Sequence, residues 1–197
     1  MIGSARSGNL IGRLFGPDPT VAIARRLYEA VVVQARQPVF FADLEVPDTV
    51  DGRFEMVALH AHLLLRRLKD GGPATADLAQ ALFDVMFADM DASLREMGAG
   101  DLGVGRRVKR MASAFYGRMA AYDSGLASRG DALGQALRRN LYGTVTPSEA
   151  SLSAVADYMR GVAARLARQP LERLAAGTVE LGPAGSGNAG DEATKNH

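Results

Sequence analysis

The chain has 197 residues, of which 47% are hydrophobic and 23% charged, and its formal net charge is +1. This length fits one globular domain, and so small a net charge gives no general attraction to nucleic acid or to an acidic membrane surface. The absence of cysteine excludes disulfides, cysteine-ligated metal centres and thiol nucleophiles. No run of about 18 uncharged apolar residues occurs, so no membrane-spanning helix is predicted.

The first 17 residues are predicted to be a flexible lead-in to a helical domain. They contain Arg6 and Arg13 and no acidic residue, a composition that faintly resembles a transit peptide. Asp18 followed by Pro19 is a typical helix start, because aspartate caps free backbone amides and proline fits the first turn. A first helix is therefore predicted from this point to about Gln37, where a proline follows.

Two longer helices are predicted next, separated from the first by a loop. The loop covers residues 38–51 and is anchored by Phe40 and Phe41. The helix over about 52–69 has apolar residues on more than one face, which indicates a central position in the fold. After a Gly-Gly-Pro turn, apolar residues at helical spacing predict a third helix over about 75–97.

The remaining predicted elements are helices over about 101–124, 131–142, 146–169 and 171–176. The helix predicted over about 146–169 begins with a capping box, with Thr146 as N-cap and Glu149 three residues later. Residues 177–181 are predicted as a brief strand, and the glycine-rich residues 182–197 as a disordered tail. The sequence thus predicts an all-α protein: one compact domain of about six or seven helices over residues 18–181.

A glycine motif lies between the third and fourth predicted helices. Residues 98–103 read G-x-G-x-x-G, which binds a dinucleotide where it follows a strand and opens a helix. Here a helix precedes it, so we interpret it as a tight corner in which Gly98 ends one helix and Asp101 caps the next. The alternative is a helical enzyme that binds an anion or nucleotide at residues 98–105, since helix N-termini bind anions.

The two helices that meet at this corner carry opposite charge. From Asp84 to Asp101, five carboxylates and one arginine sum to −4, and from Val104 to Arg118, four arginines and one lysine sum to +5. Pairing between the helices is one interpretation, and it would contribute little stability at the surface. The other interpretation is a charged rim around a groove that binds a partner. No base-stacking aromatic residue lies within the basic run, so sequence readout of nucleic acid is not predicted.

Small residues recur every fourth position on the fourth predicted helix, at Ser113, Gly117, Ala121 and Gly125. Such a stripe lets another helix approach closely. The neighbour is either another helix of this domain, a helix of a partner protein, or a second copy of the chain in a structural oligomer.

The sequence contains no recognisable catalytic motif. His60 and His62 are two residues apart and therefore do not share a helix face. No P-loop, G-x-S-x-G or H-E-x-x-H pattern occurs. We therefore predict no catalytic residues, no cofactor and no metal site.

Short blocks follow one another in a fixed order: PDT at 47–49, GRFE at 52–55, Leu59-His60, FDVMFADMD at 83–91, LREMGAGDLGVGRRVKRM at 94–111, AFYGR at 114–118 and Tyr122-Asp123. With these blocks, residues 20–181 resemble the ubiquinol–cytochrome c chaperone family, the assembly factors of the cytochrome bc complex. The resemblance implies a helical chaperone that is not an enzyme, and that binds newly made cytochrome b and supports biogenesis of ubiquinol–cytochrome c reductase.

The resemblance also bears on partners and location. Mitochondrial members work with a small partner subunit near the ribosome, and they carry a membrane-anchoring N-terminal extension that is missing from this sequence. Leu181 also stands where the family would have an aromatic residue. These departures favour a bacterial protein on the cytoplasmic side, with peripheral contact to the inner membrane left open; a eukaryotic member would lie on the matrix side.

The residues expected to contact cytochrome b lie on the two oppositely charged helices, except for His60, which lies on the helix predicted over about 52–69. They are His60, Asp89, Asp91, Arg95, Asp101, Arg106, Lys109, Tyr116, Arg118 and Tyr122. The charged members would set register and specificity, and apolar surface would supply affinity.

Overall fold

The computed structural model describes residues 18–96, 101–128, 130–143 and 145–184, without the side chains of 101–104 and 106–108. These residues form α1 (Pro19–Ala35), α2 (Val39–Ala42), α3 (Val50–Lys69), α4 (Pro73–Glu96), α5 (Asp101–Ala127), α6 (Ala132–Asn140), α7 (Glu149–Arg168) and α8 (Leu171–Ala175). The all-α prediction is confirmed.

The first helix begins as its sequence predicts. The Asp18 carboxylate accepts a hydrogen bond from the Thr20 amide at 2.9 Å, and proline follows the cap. The predicted loop over residues 38–51 contains the short helix α2, because the chain turns there to bury Phe40 completely.

Helix α3 is the centre of the fold, as predicted from its apolar composition. Every residue from Glu55 to Leu65 is buried. Helices α1, α4 and α7 pack around α3, and α5 packs against α4 and α6. Helix α3 therefore also buries the polar side chains of Glu55, His60 and His62. The free-energy cost of burying each one depends on whether it has a hydrogen-bond or ion-pair partner.

The predicted start of α7 at Thr146 is wrong by two residues. Ser148 is the N-cap, and its hydroxyl accepts from the Ser151 amide at 3.2 Å. The Ser148 amide donates to the Glu45 carboxylate at 2.6 Å. Glu45 thus accepts the N-cap hydrogen bond that a capping box would have assigned to Glu149. Glu149 instead forms an ion pair with Arg138 of α6.

The predicted strand over residues 177–181 is also wrong, since the segment is extended but has no neighbouring strand. The Gln169 side chain takes the strand's role. Its Nε2 donates to the Glu180 carbonyl at 2.7 Å, and its Oε1 accepts from the Glu180 amide at 2.9 Å. One side-chain amide thus satisfies the backbone groups that a strand would have paired.

No helix in the described part of the chain has both the length and the apolar character needed to cross a membrane.

Candidate functional site

Four aromatic rings join α4 to α5. Phe83 and Phe87 of α4 lie 4.6 Å apart, and Phe115 of α5 lies 5.8 and 6.0 Å from them, measured between ring centroids. Tyr116 stacks on Phe83 at 5.5 Å with 30° between the ring planes, yet it is 60% exposed. The contact with Phe83 therefore holds an exposed aromatic side chain in one orientation.

The solvent side of α5 beside Tyr116 is nearly free of bulky side chains. Ser113, Ala114, Gly117 and Ala120 are all exposed. A Cβ atom added at Gly117 would meet no heavy atom within 4 Å. We call the surface formed by Lys109 and these residues, together with Tyr116, the outer α5 face.

The small-residue stripe predicted on this helix therefore divides into two parts. At Gly125 an added Cβ would lie 2.6 Å from the Leu133 Cα, so this end allows α6 to pack closely. The Ser113 and Gly117 end faces outward. Internal packing explains one half of the stripe, and the other half has no neighbour among the described residues.

Beneath the outer face, α5 meets α3 through buried polar side chains. Arg118 Nη2 lies 2.6 Å from Glu55 Oε1, and its guanidinium lies 6.0 Å from the Phe54 ring centroid. Burial raises the pKa of Glu55 to about 7, although Arg118 opposes this shift. Because Arg118 is held inward by this pair, a substitution to glutamate would set two buried carboxylates against each other.

The same contact region continues along α3. His62 Nε2 lies 3.6 Å and Arg66 Nε lies 3.4 Å from Asp123 Oδ1. Burial lowers the pKa of His62 to about 4, while Asp123 acts in the opposite direction. We call the group the α3–α5 seam; its members are Glu55, His62, Arg66, Arg118, Tyr122 and Asp123.

The seam is incompletely hydrogen-bonded. Apart from Arg165 Nε, every buried side-chain nitrogen or oxygen without a hydrogen bond in the described part of the chain belongs to this group. These atoms are Glu55 Oε2, His62 Nδ1 and Nε2, Arg118 Nη1, Tyr122 Oη and Asp123 Oδ1. Since unpaired buried polar atoms are costly, the α3–α5 seam is held by its ion pairs rather than by a complete hydrogen-bond network.

His60 belongs to a different buried network. Its Nδ1 lies 2.7 Å from the Met56 carbonyl oxygen, and its Nε2 lies 2.7 Å from the Tyr158 hydroxyl. Burial lowers the pKa of His60 to about 4. With no exposed surface and both ring nitrogens bonded, His60 is a packing residue in this structure.

The structure therefore does not bring the ten predicted contact residues onto one surface. Asp89 faces α1 and accepts from the Tyr28 hydroxyl at 2.8 Å, whereas Asp91 pairs with Arg95 at 2.6 Å along α4. Lys109 and Tyr116 are exposed on α5. Three members lie inward: His60, Arg118 and Tyr122. The side chains of Asp101 and Arg106 lie outside the described residues.

The roles of two residues in this region were not predicted from the sequence. Phe83, on which Tyr116 stacks, is one of several apolar residues at helical spacing on α4, so its sequence context gave no signal of this role. Glu55, which holds Arg118, had a detectable signal: it is a carboxylate on a helix that is otherwise apolar on nearly every face.

The glycine corner follows a helix, since α4 extends to Glu96. Residues 97–100 lie outside the described part, and α5 begins at Asp101. The strand that a dinucleotide fingerprint requires before its first glycine is therefore replaced by a helix. Within the described ranges, no three histidine, aspartate or glutamate side chains form a group that could hold a metal ion.

Comparison with known proteins gives a consistent result. Ubiquinol-cytochrome-c reductase complex assembly factor 1 of Xenopus laevis is 27% identical over 137 residues, covering 70% of this chain and 68% of that protein. The Drosophila melanogaster and Homo sapiens factors of the same name are each 26% identical, and the match covers 59% and 46% of their lengths. The crystal structure of the Cbp3 homolog from Brucella abortus is 42% identical, with a TM-score of 0.72, over 80% of this chain and 87% of that one.

The sequence profile of one family, described as ubiquinol-cytochrome C chaperone, matches residues 42–181. This range starts at the end of α2 and includes α3 to α8, and thus both the outer α5 face and the α3–α5 seam. The chain belongs to the ubiquinol–cytochrome c chaperone family.

Proposed function

We propose that this protein binds newly made cytochrome b as a chaperone in the assembly of ubiquinol–cytochrome c reductase, and that it does so without catalysing a reaction. The observation that carries the proposal is the outer α5 face. It combines an exposed Tyr116, stacked on Phe83, with the exposed small residues Ser113, Ala114, Gly117 and Ala120. Family membership supports the class of client.

Such a surface fits a helical segment of a membrane protein. Small residues let a second helix approach closely, so that van der Waals contact extends along both helices. Tyr116 would lie in that contact as an aromatic anchor, and stacking on Phe83 has already removed much of its rotational freedom. Lys109 lies on the same exposed side and would contact polar or acidic groups at the end of the client segment.

The inward-facing members of the predicted set have a supporting role in this proposal. Arg118 and Tyr122 fix the angle of α5 on α3, and His60 fixes α3 on α7 through Tyr158. Substituting them would change binding by moving the helix rather than by removing a contact.

Photo-crosslinking tests the proposal directly. Benzoylphenylalanine in place of Tyr116 should crosslink to newly made cytochrome b, whereas the same group at Ala167, exposed on α7, should not. The double variant Lys109→Glu and Tyr116→Ser should abolish capture of cytochrome b with the helical circular dichroism unchanged. Equal crosslinking from both positions, or full capture by a folded double variant, would overturn the assignment of this face.

A further inference from the structure

A groove of about 1070 Å³ runs between α1 and α4, and none of its lining residues belongs to α5. Its apolar strip is formed by Val21, Val32, Val33, Ala81 and Val85. Val33, two residues before the end of α1, is 64% exposed, so its apolar side chain is largely uncovered. The groove therefore carries an apolar strip that is separate from the proposed client site.

The borders of the groove are acidic. Five exposed carboxylates line it against two arginines: Asp18, Glu29, Asp77, Asp84 and Asp89 against Arg25 and Arg36. None of these residues forms an ion pair within the described part of the chain. The hydrogen bonds to Asp84 and Asp89 come from the neutral side chains of Gln80 and Tyr28, so they leave the negative charge uncompensated.

Residues 1–17 have the complementary chemistry and join the groove at Asp18. They contain Arg6 and Arg13 without any acid, and an apolar set of Ile2, Leu10, Ile11, Leu14 and Phe15. An extended segment of this length reaches up to about 55 Å, and α1 with its 17 residues is only about 25 Å long. The segment can therefore turn back and cover the whole groove.

We propose that residues 1–17 bind in the α1–α4 groove of the same chain. Leu14 and Phe15 cover the strip around Val33 and Val85, and the two arginines pair with the acidic borders. The contact removes exposed apolar surface and compensates the excess negative charge, so it stabilises the packing of α1 on α4.

Fluorescence provides a specific test, because the chain contains no tryptophan. The full-length Phe15→Trp protein should show a blue-shifted emission maximum and a several-fold lower acrylamide quenching constant than the same protein in denaturant. Adding Val33→Asp should abolish both effects. The matched change Val145→Asp, at a valine 46% exposed outside the groove, should leave them intact.

Charge reversal at Asp84 and Asp89 to arginine should raise the quenching constant as well, and circular dichroism verifies folding of every variant. An emission maximum typical of a water-exposed indole in the Phe15→Trp protein would overturn the proposal and leave the groove for another protein. A blue shift that disappears on dilution would also overturn it, because the segment would then come from a second copy.

Discussion

Replacing Tyr158 by phenylalanine removes one hydroxyl from the interior and leaves the ring in place. A carbonyl oxygen can only accept, so His60 Nδ1 carries the proton that is donated to Met56. His60 Nε2 therefore accepts from the Tyr158 hydroxyl, whose oxygen in turn accepts from Gln34 Nε2 at 2.8 Å. This chain of hydrogen bonds connects α1, α3 and α7.

The expected loss in the free energy of unfolding follows from which groups lose a partner. Gln34 Nε2 still donates to the Gly182 carbonyl at 3.0 Å. His60 Nε2 keeps no partner and has no exposed surface, and such a buried acceptor costs about 1–3 kcal/mol. The edge contact between the Tyr158 and Phe40 rings, at 5.1 Å, does not need the hydroxyl. Tyr158→Phe should therefore destabilise the protein by about 2 kcal/mol, without a packing defect.

Urea unfolding followed by circular dichroism measures this loss, and the chain offers a matched control. Tyr116→Phe removes the same hydroxyl from a ring that is 60% exposed, so it should change the free energy of unfolding by less than about 0.5 kcal/mol. If the two variants were equally stable, the hydroxyl of Tyr158 would not satisfy His60, and the proton assignment would be refuted.

Two further predictions concern helix α5 and the α3 carboxylate that pairs with it. The pKa of Glu55 is raised from 4.5 to about 7, so its contribution to stability is full below pH 4.5 and is lost as the pH rises through 7. The stability of Glu55→Gln relative to wild type should therefore increase by roughly 3 kcal/mol between pH 4.5 and pH 8 in urea unfolding, and a pH-independent difference would contradict the raised pKa. The second prediction compares two glycines by thermal unfolding: Gly125→Ala should destabilise by about 1–3 kcal/mol, because its Cβ would strike the Leu133 backbone. Gly117→Ala meets nothing and should stabilise the helix by up to about 1 kcal/mol, so the same sign for both would refute the division of the stripe.

Much of the helical framework was predictable because its signals are local. The Asp18 cap and the apolar periodicity of α3 depend on neighbours within one or two turns, and the structure confirms both. The start of α7 was mispredicted because the amide of Ser148 is satisfied by Glu45, about a hundred residues earlier in the chain. The strand at 177–181 failed for the same reason, since the Gln169 side chain replaced a strand partner.

The candidate site was less predictable than the fold. Charge and aromatic character selected Arg118 and Tyr122 as surface residues, but both point toward α3. Residue type alone does not show which side of a helix is covered by neighbouring helices. Besides the contact with α3, helices α4 and α6 also pack against α5. On α5, Lys109 and Tyr116 remain exposed, so the described part of this helix offers fewer contact residues than the sequence predicted.

Consecutive residues were enough to predict the all-α class, the approximate helix limits and a family resemblance, because caps, periodicity and short motifs are local features of the sequence. Which polar residues are buried, and which half of the small-residue stripe is exposed, could be read only from the packed helices. The folded arrangement also paired Arg118 with Glu55 and left the Tyr116 ring, stacked on Phe83, exposed to solvent. The physical reason is that burial and pairing depend on which helices pack together, and that choice is made by the whole core rather than by any one segment.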